Sequence, residues 1–306
     1  MLAFIAPGQG AQTPGMLAPW ITDPAAKLLL SQWSHEIDLD LVRLGTTADS
    51  DEIKDTANAQ PLIVAAGLLG ARALGSARLA IVAGHSVGEI TAAAIAGVID
   101  DVDAMKLVRA RGIEMAKAAA LKTAGMAAVL GGDREVVLRA ISDLGLVAAN
   151  DNGGGQIVAA GDLDALAQLA PEGARVRALA VAGAFHTSYM QPAVAPLQAI
   201  AAKISVHAAK FPVISNEDGA VLHDGRKILD RIVAQISNPV RWDLCMTTLA
   251  SHVSGAVEVP PAGTLVGLLK RAVPIIETFA LKSTEDVTLA KEFIVRHQDE
   301  QNDEDK

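Results

Sequence analysis

Apolar residues change their spacing along this chain, and the changes mark its elements. Residues 2–6, LAFIA, form a short apolar run closed by the turn PGQG, and residues 79–83, LAIVA, form a second. Such runs, with no polar alternation, read as strands buried on both faces, as in a parallel sheet. Residues 60–74 read as a mostly apolar helix, and residues 87–99 as another that starts only a few positions after the second strand. A strand, a tight turn and an apolar helix, repeated, predict a parallel sheet with helices packed on it.

From residue 125 the pattern changes. Residues 125–132 read as a strand and 133–145 as a helix with Asp133 at its N-cap. Two strands, 146–150 and 156–161, flank the turn DNGGG, followed by a helix at 162–170 and a strand at 174–181. The order β-α-β-β-α-β over about 60 residues is that of a ferredoxin-like module. The fold expected is therefore α/β. A large α/β domain with a parallel sheet spans residues 1–122 and 187–283, and a small ferredoxin-like domain is inserted at 123–186.

Composition and charge narrow the class. The chain is 51% hydrophobic with a mean hydropathy of +0.31, yet no apolar run approaches the length of a membrane span, about eighteen residues. The N-terminus has no basic region before its apolar run, so it does not read as a secretion signal. Cys245, the single cysteine, has no partner for an internal disulfide, and a soluble cytoplasmic monomer is expected. Of the net charge of −9, residues 284–306 carry −5, which leaves −4 for the rest. This acidic surplus argues against nucleic-acid binding, and residues 284–306, which end in HQDEQNDEDK, read as an acidic, disordered tail. No His/Cys cluster has metal-ligand spacing, and neither a metal nor a cofactor is expected.

The stretch IVAGHSVGEI, residues 81–90, carries the first chemistry. Gly84-x-Ser86-x-Gly88 between a strand and a helix fits a nucleophile elbow, in which small flanking residues allow a sharp turn and the serine sits at a helix N-terminus. The alternative is a structural turn serine. A nucleophilic serine needs a base. His35, His207, His223 and His252 have polar or amphipathic surroundings, His297 lies in the tail, and His85 adjoins the serine on a turn where neighbours diverge. That leaves His186, in a loop returning from the small domain, although a core histidine would look the same. In a helix over 101–119, Arg111 shares a face with Ala104, Leu107, Val108, Met115 and Ala118. A guanidinium there needs an anion: internal Glu114 or Glu89, or a substrate carboxylate.

The segments APGQGAQ (6–12), GHSVGE (84–89), RARG (109–112), AFH (184–186) and NPVRWD (238–243) have the order and spacing of malonyl-CoA:acyl carrier protein transacylases. The chain resembles the actinobacterial type of this family, which serves fatty acid synthesis, from its first residue to about Arg271. The resemblance implies that Ser86 is the nucleophile and His186 the base and acid, the latter oriented by the main-chain carbonyl of Gln235. It implies an oxyanion hole from the backbone N–H groups of Gln9 and Val87, and Arg111 as the partner of the malonyl carboxylate. Asn150 matches a polar residue of the small domain near the cleft, with Asn152 as the other choice, and Phe185 resembles the malonyl-selective form of the motif. The implied reaction is a ping-pong transfer from malonyl-CoA to the phosphopantetheine thiol of acyl carrier protein, with these two substrates as the only partners. The alternatives are a free-standing polyketide-type acyltransferase or a serine thioesterase. An acidic carrier predicts a local basic patch, with Lys117, Lys122, Arg175 and Arg177 as candidates. PPAGTLVGLLKR departs from the Gly-Pro-Gly of many relatives.

Overall fold

Two sheets organise the molecule, and the parallel one carries the candidate chemistry. The computed structural model describes residues 1–304, with side-chain surroundings through residue 298. β1 (Leu2–Ala6) is buried throughout, as its lack of polar alternation requires. Then come α1 (Pro24–Glu36) and α2 (Leu41–Thr46), each begun by an aspartate N-cap, Asp23 and Asp40. α3 (Thr56–Leu74) starts before residue 60 because the Asp55 carboxylate accepts from the Ala57 N–H. β2 (Ile81–Gly84), α4 (Gly88–Ile95) and α5 (Asp101–Ala120) follow.

The middle of the chain supplies β3 (Gly125–Gly131), α6 (Arg134–Asp143), β4 (Val147–Asp151), β5 (Gln156–Gly161), α7 (Leu163–Gln168) and β6 (Ala174–Ala178). It then returns through α8 (Gln191–Ala201), β7 (Val213–Ile214), β8 (Val221–Leu222) and α9 (Gly225–Ala234). The last elements are β9 (Val240–Arg241), α10 (Trp242–Ala250), β10 (Gly255–Glu258), α11 (Thr264–Ala272), β11 (Glu277–Ala280) and α12 (Val287–Glu304).

The larger sheet runs β11-β10-β1-β2-β7-β8, parallel except for the β7–β8 hairpin. Alternation in β1 divides the core. Leu2, Phe4 and Ala6 face one apolar cluster with α3, α4 and α5, while Ala3 and Ile5 face another with Trp242, Leu249 and Leu268. The second sheet runs β6-β3-β5-β4-β9, with α6 and α7 contributing Val137, Ile141 and Leu166 to its own core. Its fifth strand was not expected. β9, from NPVRWD, pairs parallel to β4 with Asn150 opposite Val240 and Asp151 opposite Arg241. A two-residue strand shows no period, so its pairing was not readable.

The disordered tail expected over 284–306 is corrected over 284–304, and residues 305 and 306 lie outside the described ones. Thr284–Asp286 form a 3-10 turn and Val287–Glu304 a helix. Ala290, Phe293, Ile294 and His297 are buried, at the i, i+3, i+4, i+7 spacing of a packed helix face. Burying Phe293 alone contributes about 1.5–3 kcal/mol. His297 Nδ1 stands 3.0 Å from Ser254 Oγ and Nε2 stands 3.1 Å from Glu277 Oε2, which ties α12 to β10 and β11. The high acidic content masked this apolar stripe, and the side chains from residue 299 lie outside the described ones. Among the described residues no helix is long and apolar enough to cross a membrane, and no group of three or more His, Cys, Asp or Glu could hold a metal ion.

Candidate active site

The turn from β2 into α4 cannot be built with larger residues. A Cβ on Gly84 would sit 2.0 Å from the Gly88 carbonyl, and one on Gly88 would sit 2.2 Å from the Ala6 oxygen of the neighbouring strand. Between them Ser86 adopts φ 54°, a left-handed conformation that costs a side-chain-bearing residue of order 1–3 kcal/mol. The surroundings hold it there. The Ser86 N–H donates to Asn216 Oδ1 at 2.7 Å, and Asn216 Nδ2 donates to the Gly84 carbonyl at 2.7 Å.

His186 arrives from the loop after β6, also left-handed, with φ 61°. Its Nε2 lies 2.8 Å from Ser86 Oγ. On the other side of the ring, Nδ1 lies 3.1 Å from the main-chain oxygen of Gln235 and 2.9 Å from the Gln235 side-chain amide nitrogen. Nδ1 serves one of these at a time. In the tautomer that leaves Nε2 free to accept a proton from Ser86, Nδ1–H donates to the carbonyl. Burial, reinforced by the Arg111 charge, pushes the His186 pKa down to about 3, so the ring is neutral at physiological pH.

Arg111, on α5, is 1% exposed. Its Nη1 donates to Gln60 Oε1 at 2.8 Å, and Nη2 donates to Ser86 Oγ and Gln235 Oε1, each at 3.2 Å. Among the described residues no carboxylate lies within ion-pair distance of it. Glu114 is taken by Lys117 at 2.7 Å. Glu89 is buried, and burial raises its pKa to about 8, so at neutral pH it stays mostly protonated. Desolvation lowers the Arg111 pKa to about 10, which leaves the guanidinium charged. The site therefore holds a serine within hydrogen-bond reach of both a buried cation and a neutral imidazole.

The other expected residues fall around this centre. Gln9 follows β1, with its side chain reaching Thr56 Oγ1 at 3.3 Å and Gln60 at 3.4 Å. Neither the Gln9 nor the Val87 backbone N–H has an acceptor among the described residues. Of the two asparagines, Asn152 stands next to the elbow, its Oδ1 2.8 Å from His85 Nε2. Asn150, the residue chosen from the sequence, sits two residues earlier on β4, opposite Val158, with its Oδ1 unpartnered. Phe185 is 6% exposed and belongs to the main apolar cluster. His85 is turned away from the serine, its ring edge-on to Trp242 at 5.6 Å between centroids. His297, placed in the tail by the sequence, is in fact a buried packing residue.

Sequence reading passed over Gln60, Asn216 and the position of Glu89 against the elbow. Gln60 left a trace, as a polar side chain at the start of an apolar helix pattern; it is 1% exposed. Asn216, in VISNEDG, left none, because its role depends on β7 lying beside β2.

A serine on a strand–helix elbow over a parallel sheet, with an imidazole 2.8 Å away and a buried cation beside it, is an arrangement suited to acyl chemistry. The model of the acyl transferase domain family matches residues 3–300, and the chain belongs to that family. The match continues past Arg271, where the sequence resemblance stopped, and takes in most of α12. Among its members the chain is similar to the malonyl CoA-acyl carrier protein transacylase of Mycobacterium tuberculosis, 52% identical over 296 residues covering 94% of this chain and 98% of that protein. The crystal structure of MCAT from Mycobacterium tuberculosis superposes with a TM-score of 0.92 at 51% identity, covering 95% of this chain and 99% of that one. A malonyl-transacylase in complex with a type II PKS acyl-carrier protein superposes with a TM-score of 0.89 at 31% identity, over 95% and 99% of the two chains.

Proposed function

We propose that this chain moves the malonyl group from malonyl-CoA to the phosphopantetheine thiol of acyl carrier protein, through a malonyl ester on Ser86. The observation that carries the malonyl assignment is Arg111, a buried charged guanidinium with no carboxylate within ion-pair distance among the described residues, 3.2 Å from Ser86 Oγ. A planar fork in that position suits a free carboxylate on the acyl group. An esterase or thioesterase site has no use for it.

The steps follow from the geometry. Ser86 Oγ attacks the thioester carbonyl as its proton passes to His186 Nε2, with Nδ1–H held on the Gln235 carbonyl. The N–H groups of Gln9 and Val87 stabilise the oxyanion, each such donor supplying roughly 10²–10³ in rate in serine enzymes. The C–S bond breaks, and coenzyme A leaves as the thiol with the proton from His186. The carrier thiol then gives its proton to His186, attacks the ester, and Ser86 recovers a proton as the C–O bond breaks. A malonyl carboxylate on Arg111 offsets the charge that helps to hold the His186 pKa low, so the base strengthens as the correct substrate docks. Phe185, before the base, limits branching at the α-carbon.

The architecture supports this reading at the level of subdomains. The parallel sheet with its elbow is α/β-hydrolase-like, while β3-α6-β4-β5-α7-β6 in the sheet order β6-β3-β5-β4 is ferredoxin-like, inserted over residues 123–186. The test is intact-protein mass spectrometry after brief mixing with malonyl-, acetyl- or methylmalonyl-CoA. A malonyl adduct that is absent in Ser86→Ala and is discharged by carrier protein supports the proposal. Release of coenzyme A without an adduct, and without need of carrier, would point to a hydrolase instead.

A further inference from the structure

Asn216 makes hydrogen bonds on both sides of the nucleophile. Its Oδ1 accepts the Ser86 N–H and its Nδ2 donates to the Gly84 carbonyl, both at 2.7 Å, so one amide spans the residue held at φ 54°. Asn216 is 0% exposed, and its own backbone N–H donates to Glu89 Oε1 at 2.8 Å. Glu89 lies in the first turn of α4, directly after the elbow, and is 3% exposed. A chain of contacts thus runs from α4 to the loop after β7 and back to the serine.

We infer that Asn216, held in place by Glu89, is a positioning residue for the acyl transfer: it fixes the left-handed backbone that aims Ser86 Oγ at His186 and the Val87 N–H at the oxyanion. This rests on the acyl-transfer function proposed above. Glu89 performs this role as a neutral acid. One oxygen takes a single N–H and the other, Oε2, has no partner in its buried surroundings, a setting that disfavours a carboxylate. The charged groups that reach Glu89 are Arg111 on α5, Arg231 on α9 and Glu217 beside Asn216, and Arg231 is itself bound to Glu217 and Asp218. Cys245 on α10 is a further titratable neighbour, and burial raises its thiol pKa and keeps it protonated. Burial outweighs the two arginines, with the Glu89 pKa near 8. Once ionised, Glu89 puts a negative charge near Arg111, which then competes with the malonyl carboxylate.

Single-turnover malonylation of the full chain from malonyl-CoA, between about pH 6 and 9.5, tests this. Asn216→Ala should acylate on the order of a hundredfold more slowly with KM within about threefold, as a misaimed nucleophile does. Asn216→Asp, which keeps the acceptor and loses the donor to Gly84, should fall between. Glu89→Ala should be slow at every pH. Glu89→Gln should stay within about threefold of the parent at neutral pH and lose the decline that the parent shows above about pH 8. Acylation of Asn216→Ala at the parental rate overturns the inference. So does a Glu89→Gln variant that matches Glu89→Ala, or one that keeps the parental alkaline decline. Thermal melts report whether Asn216→Ala is folded, and the two Glu89 variants decide the question if it is not. If the parent itself forms no malonyl ester, the functional reading has failed rather than this one.

Discussion

At the scale of single residues, one buried charge governs the site. Arg111 is buried and charged, and it holds three acceptors, on Gln60, Ser86 and Gln235. Hydrogen bonds to a charged group contribute about 1.5–3 kcal/mol each. A malonyl carboxylate gripped by two of them is therefore favoured over acetyl by about 3 kcal/mol or more, roughly a hundredfold. Arg111→Ala should reduce malonyl-ester formation by about that factor while acetyl-ester formation holds or rises, because the positive charge that weakens His186 is gone. Mass spectrometry with the two thioesters in competition measures the ratio, and an unchanged preference for malonyl would remove Arg111 from the specificity argument. Arg111→Lys should restore only part of it, since an ammonium lacks the planar fork.

At the scale of elements, the site depends on how closely β1, β2 and α4 approach. Gly88 lets α4 start against the Ala6 carbonyl, and a methyl group there meets that oxygen at 2.2 Å, with backbone on both sides and nothing flexible to yield. Gly88→Ala should cost about 3 kcal/mol, at the upper end for overpacking, and abolish acylation, as thermal melts and the adduct assay would show. These constraints were readable in advance at Gly84, Ser86 and Gly88, because strand, turn and helix are adjacent in sequence and the elbow is a local motif. Arg111 was readable for a similar reason: helical spacing placed a charge on an apolar face. Asn216, Gln60 and β9 were not, since each acts through a partner more than fifty positions away or through a strand too short to show a period. The C-terminal helix was misread because its acidic surface outweighed the stripe of Ala290, Phe293, Ile294 and His297.

At the scale of the whole molecule, the buried titratable groups set how stability follows pH. Glu89 has its pKa raised from 4.5 to about 8, so its contribution is complete below 4.5 and is lost as pH rises through about 8. His186 has its pKa lowered from 6.5 to about 3, so its contribution is complete above 6.5 and is lost as pH falls through about 3. The two slopes offset each other between 4.5 and 6.5, and stability should decline on either side. Glu89→Gln should raise the melting temperature at pH near 8 relative to the parent and give no such gain near pH 4.5. Equal shifts at both would mean that Glu89 is not buried as a neutral acid. In the proposed function the second half-reaction depends on a surface that receives the carrier. Of the cations first considered for carrier docking, Lys117 is already paired with Glu114, whereas Arg175 and Arg177 are exposed on β6, the edge strand whose chain leads on to His186. Lys122 lies over the Tyr189 ring, 4.7 Å from its centroid, three residues beyond the base. If the proposed function holds, an acidic carrier approaching the cleft from this side would be steered by those three charges. Reversing Lys122 and Arg177 to glutamate should slow discharge of the malonyl ester to carrier about tenfold at low salt, with a smaller effect at high salt. Formation of the ester from malonyl-CoA should stay within about twofold, because Ser86, His186 and Arg111 all lie off β6. Parallel losses in both steps would show that these side chains act on the site itself and not on carrier docking.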